Sequence, residues 1–68
     1  MGKKYALEDR VVDRGTNVSG TVVLVGEDEY GAVFEVNFDQ RIFGRRRHQK
    51  REIELKKEPL AKRRASDA

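Results

Sequence analysis

An all-β fold, a small barrel of four to five short antiparallel strands, is the fold class that this chain predicts. Three observations point to it. The stretch TVVLV (residues 21–25) is almost wholly β-branched, which favours pleated backbone. The stretch AVFEVNF (32–38) alternates, with Phe34, Val36 and Phe38 on one side and Glu35 and Asn37 on the other. Between Val11 and Phe43, no apolar stripe at helical spacing runs without a glycine interrupting it.

Each element follows from local chemistry. RVVD (10–13) reads as a first short strand, and RGTNVSG (14–20) as a turn-rich loop. TVVLV is the second strand. Its continuous apolar character predicts partial cover on both faces. GEDEYG (26–31) reads as a hairpin loop, two glycines bracketing an acidic tip, with Tyr30 packed over the barrel end. The alternating strand 32–38 is then expected to turn at Asp39 and Gln40 into a further strand. There Ile42 is the inward residue, Phe43 competes for that role, and Gly44 marks a bulge or bend. REIEL (51–55) closes the domain with Ile53 and Leu55 inward. Pro59 cannot donate to a sheet ladder and ends it near Glu58. The expected division is a flexible N-terminus (1–6), a barrel (7–58) and a disordered basic C-terminal tail (59–68).

The segments DRVVDRG (9–15), GTVVLV (20–25), VFEVNFD (33–39) and REIEL (51–55) together resemble the SH3-like small barrels, in the layout of Tudor and KOW domains. The strand pattern is also similar to that of the photosystem I peripheral stromal subunit family. The resemblance covers residues 7–57 and rests on strands and turns. It implies a domain that works by binding. An aromatic cage or a peptide groove of the SH3 type needs several exposed aromatics. With no Trp, two Tyr and three Phe, neither is expected here.

Size and composition bound the function. A chain of 68 residues has room for one thin core, and buries only about 60% of its unfolded surface. Without Cys there is no disulfide, no thiolate metal site and no thiol nucleophile. His48 is the single His and lacks the company a zinc site needs. No phosphate-cradling Gly-rich loop is present. The expectation is a protein that is not an enzyme, with no cofactor, no metal and no small-molecule substrate. The first residues contain no apolar leader, and no stretch is apolar enough to span a membrane. The expected location is therefore cytoplasmic, without membrane contact.

Charge is the strongest functional signal. Residues 1–40 carry four basic and eight acidic groups, a net −4; residues 41–68 carry eleven basic and four acidic groups, a net +7. In FGRRRHQKRE (43–52), six of ten residues are Arg, Lys or His. Arg41, Arg45, Arg46, Arg47, His48, Lys50 and Arg51 are the candidate contacts for a DNA or RNA phosphate backbone, which guanidinium groups meet with paired, charge-assisted hydrogen bonds. No base-reading motif accompanies them, so weak sequence preference is expected. The alternative partner is an acidic protein surface. Solvation of a sheet edge is the bland reading of the same run. Successive residues of a strand face opposite ways, so Arg45, Arg46 and Arg47 can be exposed together only in a loop or at an edge. Phe43 beside them is the candidate for stacking on a base, with a core role as its competing reading. A third reading is self-association, the acidic tip of one copy meeting the basic edge of another.

Overall fold

A computed structural model describes residues 5–59. Five strands form one antiparallel sheet: β1 (Arg10–Asp13), β2 (Ser19–Asp28), β3 (Gly31–Ile42), β4 (Arg45–Arg51) and β5 (Leu55–Lys57), with a 3-10 turn at Glu52–Glu54 before β5. The strand order is β4-β3-β2-β1-β5. The all-β class expected from the sequence is the observed one. The sheet is not closed, because β4 and β5 are its two edges. No described helix is long and apolar enough to cross a membrane. The expected tail lies, beyond Pro59, outside the described residues.

The inner face carries the core: Tyr5, Val11, Val22, Phe34, Val36, Phe38, Ile42 and Leu55. The alternating run of β3 supplies three of these, as its pattern predicts. β2 does so by a different route. Val22 pairs with Val36 and Leu24 with Glu35, which leaves Val23 as an extra residue in a β-bulge. The bulge flips the parity of the strand. Val22 and Val25, three residues apart, therefore both lie on the core side, opposite Val36 and Phe34. The apolar run in β2 reflects this shift more than cover on two faces, and Leu24 is left 55% exposed.

Tyr5, which the sequence places ahead of the barrel, is 2% exposed. Its ring meets Phe34 edge-on at 5.3 Å, and its hydroxyl donates to the Leu55 carbonyl at 3.3 Å. Burial pushes its phenol above the usual range. The chain after it is tied to β2 by Glu8 N–H to Val22 O (2.7 Å) and Val22 N–H to Asp9 O (2.9 Å).

Three expectations are corrected. The turn foreseen at Asp39 and Gln40 is absent, and β3 runs on to Ile42 before reversing at Phe43 and Gly44. Asp39 is instead held by Arg10, and Gly44 supplies the positive φ (82°) that the later reversal needs. Ile53, expected inward, is 82% exposed. Residues 52–54 coil into the 3-10 turn, so strand alternation stops at Arg51 and resumes at Leu55, which is buried. Tyr30, expected over the barrel end, is 79% exposed, because β2 and β3 extend the hairpin out to Asp28 and Gly31.

A single arginine connects four parts of the sheet. Arg10 opens β1. Its guanidinium donates to both carboxylate oxygens of Asp39 (3.0 and 2.6 Å), to both of Glu58 (3.3 and 3.0 Å), and to the Thr21 hydroxyl (3.0 Å). Glu58 is buried. Hydrogen bonds from Arg10 hold its carboxyl below the usual glutamate range, outweighing the upward push of burial.

Two predictions follow from this packing. A Cβ on Gly20 would stand 2.7 Å from Val36 Cγ1 and 2.9 Å from both Asn37 O and Phe38 Cα. Two of those neighbours are backbone. Gly20→Ala should therefore lower stability by about 2 kcal/mol, on the scale of core overpacking. A urea midpoint equal to that of the parent protein would show that β2 and β3 have slack there. The second concerns acid. A carboxyl whose pKa is lower folded than unfolded adds stability that is complete above the unfolded value, about 4.3 for Glu. That stability is lost as pH falls through the folded value. Urea stability should decline below about pH 4, and Glu58→Gln should flatten part of the decline. Parallel pH profiles for the two proteins would remove Glu58 from that account.

Candidate functional site

β4 is an edge strand, so one side of its backbone has no partner in the sheet. Its register divides the basic run by face. Arg47, Gln49 and Arg51 oppose Asn37, Glu35 and Val33, on the outer side. His48 and Lys50 oppose Val36 and Phe34, on the core side. Arg45, Arg46 and Arg47 are all exposed, which the edge position permits.

The core-side pair is engaged within the fold. His48 Nε2 lies 2.8 Å from the Ile42 carbonyl and 2.9 Å from the Arg45 carbonyl. Both are acceptors, so Nε2 carries the proton and clasps the hairpin turn from within. The His48 ring also leans on Phe38 at 6.0 Å. Lys50 is half-buried, with Nζ 3.5 Å from Asp13 Oδ1 and 3.9 Å from Glu54 Oε2. Burial pushes the Asp13 carboxyl up. The Thr16 hydroxyl and N–H together with Lys50 more than offset this and hold it below the aspartate range.

On the outer face two arginines are paired. Arg47 Nε lies 3.2 Å from Glu35 Oε2. Arg51 forms a two-point contact with Asp28, and its guanidinium carbon sits 5.6 Å from the centre of the Tyr30 ring. The Asp28 carboxyl is held below its usual range by these Arg51 hydrogen bonds and by the Tyr30 N–H.

Arg41, Arg45 and Arg46 remain. Among the described residues, none of the three has an ion-pair or hydrogen-bond partner for its side chain. They cluster because β3 arches away from β4. Asn37 pairs with Arg47 and Ile42 with Arg45, so residues 38–41 of β3 face Arg46 alone. The arch brings Arg41 beside the turn, and Arg45 and Arg46 leave the turn on the other strand.

The turn itself is Phe43 and Gly44, closed by the Ile42–Arg45 pair. Both residues have positive φ, 53° and 82°. Two-residue hairpin loops of this kind favour Asn, Asp or Gly at the first position. A bulky side chain there is strained, at a cost of roughly 1–2 kcal/mol. Phe43 is also 94% exposed, the extreme among the large apolar residues described. Phe43 stands at the margin of an open groove lined by Asp13, Arg14, Gly15, Thr16, Lys50 and Glu54.

Of the sequence-selected residues, the fold thus gathers Arg41, Phe43, Arg45 and Arg46 at one hairpin tip. It assigns Arg47 and Arg51 to surface ion pairs, and His48 and Lys50 to interior contacts. Arg14, at the groove, was outside the sequence selection. Its Nε donates to the Leu55 carbonyl at 3.1 Å, a contact between residues far apart in the chain that local pattern does not reveal. Among the described residues, no cluster of three His, Cys, Asp or Glu side chains stands where it could hold a metal ion.

The strain at Phe43 gives a direct test. Phe43→Asn places a residue that tolerates left-handed backbone in the turn and removes an exposed ring. Stability should rise by about 1 kcal/mol in urea denaturation. A fall would show that the ring supports the hairpin. No protein-family model, no curated protein and no solved structure matches this chain.

Proposed function

We propose that this protein is a small, non-catalytic module that binds nucleic acid through the tip of the β3–β4 hairpin. One observation carries the reading. A strained, 94% exposed phenylalanine stands between arginines that have no partner among the described residues. Neither turn propensity nor core packing favours Phe at that position. A base stacked on the ring would, at about 1–3 kcal/mol per base. Arg41, Arg45 and Arg46 then meet phosphate, and the groove beside Phe43 receives the neighbouring nucleotide. No base-reading motif accompanies the tip, so weak sequence preference is expected.

We further place the domain among the SH3-like small barrels. A meander of four strands and a short fifth returning to β1 support that placement. The alternative partner is an acidic protein. It is favoured by the same residue types, since exposed aromatics and Arg are the usual anchors of protein interfaces.

Fluorescence anisotropy against labelled single-stranded DNA, duplex DNA and RNA tests the proposal. Three phosphate contacts predict a log–log salt slope of about −2 to −3. Replacing Arg41, Arg45 and Arg46 together by Ala should abolish binding. Replacing the carboxylate-paired Arg47 and Arg51 should weaken it much less. Phe43→Ala should cost about tenfold on single strands. Absence of binding at low salt would overturn the reading, because that condition favours any electrostatic contact. Capture of an acidic protein that persists at high salt would favour the alternative.

A further inference from the structure

The hairpin tip has a counterpart at the other end of β3. There the tip joining β2 to β3 and the 3-10 turn enclose a concavity lined by Tyr30, Gly31, Ala32, Arg51, Glu52 and Ile53. Its two apolar walls are solvent-facing: Tyr30 is 79% and Ile53 82% exposed. The Tyr30 wall is held in place. Its N–H donates to Asp28 Oδ1 at 2.9 Å, and Arg51, itself paired with Asp28, lies over its ring. Glu29 and Glu52 flank the concavity, both exposed and neither ion-paired among the described residues.

The two ends are complementary. One presents an exposed aromatic knob among arginines that have no partner among the described residues; the other presents a shallow concavity of mixed lining, with Tyr30 and Ile53 as its apolar walls and Glu52 beside them. Phe43 and Tyr30 stand just beyond opposite ends of the longest strand, β3. We infer that the protein associates head to tail, Phe43 of one copy seated between Tyr30 and Ile53 of the next, with Arg45 and Arg46 facing Glu29 and Glu52. The contact uses different patches on the two copies, so it leaves one knob and one hollow free at the ends of every assembly and is open to further addition. The patches are small, and the association is correspondingly weak and concentration-dependent. This inference goes beyond nucleic-acid binding. It also makes the two compete, since both use Phe43.

Sedimentation velocity of the full chain, from low micromolar to about 1 mM, reads the association. The average sedimentation coefficient should rise with concentration and fall back in high salt. Phe43→Asp removes the knob and Ile53→Arg blocks the hollow, so each variant alone should remain monomeric. Mixed in equal amounts, they retain one intact knob and one intact hollow, and should form a dimer and nothing larger. Both positions are exposed, and circular dichroism melts verify folding. If Ile53→Arg unfolds, the double change Glu29→Lys and Glu52→Lys takes its place. A monomer throughout the concentration range would overturn the inference. So would single variants that assemble like the parent, or folded variants that fail to pair. Ile53→Arg leaves the arginine hairpin intact and should bind oligonucleotide as the parent does. Failure of the nucleic-acid reading would therefore appear in that titration and leave the sedimentation result standing.

Discussion

The Arg10 guanidinium is the contact on which the geometry of the sheet rests. β1 is four residues long and β5 three, too short to fix their own positions by ladder bonds alone. Arg10 ties β1 to Thr21 on β2, to Asp39 within the arch of β3, and to Glu58 just beyond β5. Glu58 is buried, and a buried carboxylate without a partner is strongly unfavourable. Two hydrogen bonds from Arg10 help to meet that need. The same contact holds Asp39, which lies in the stretch of β3 where the register with β4 shifts.

That arch also explains how a run of like charges is accommodated. Seven basic side chains between Arg41 and Arg51 would repel one another on a flat surface. Strand alternation sends His48 and Lys50 inward, where carbonyls and carboxylates meet them. It sends Arg47 and Arg51 outward, toward Glu35 on the adjacent β3 and Asp28 at the end of β2. Exposed pairs of this sort add little stability, but they spread charge out and keep an edge strand from pairing with another chain. Among the described residues, Arg41, Arg45 and Arg46 around the turn are the ones of this run without a partner. The basic run of the sequence is therefore three structures with separate tasks.

Much of this was legible in the sequence, and the failures share a cause. The alternation of residues 32–38 marks β3 and three of its core residues, the alternation of 51–55 marks Leu55, and Ile42 is read as inward on the strand expected after a turn. The bulge at Val23, the 3-10 turn that rotates Ile53 outward and the extension of β3 past Asp39 each break that period locally. A pattern argument assumes a constant period, so it misplaces a residue such as Ile53 that sits within the break. Arg10 was invisible for another reason. Its partners lie 29 and 48 residues away, and nothing local distinguishes it from Arg14. At the candidate site, composition identified the arginines and Phe43. Which arginines stay unpaired is a matter of register, which composition does not contain.

Strain at the hairpin gives the remaining step. A left-handed phenylalanine persists only where its surroundings over-determine the backbone. Here they do. His48 donates to the carbonyls on both sides of the turn, Ile42 anchors it in the core, and Gly44 absorbs the second positive φ. None of these contacts touches the Phe43 ring, which stays in solvent. The fold thus fixes the backbone of the residue and leaves its side chain unused. A ring presented on a rigid turn loses less freedom on contact than one on a mobile loop, so more of its contact energy appears as affinity. The clasp beneath Phe43 and the exposure of its ring are two parts of one arrangement, and both point outward from the domain.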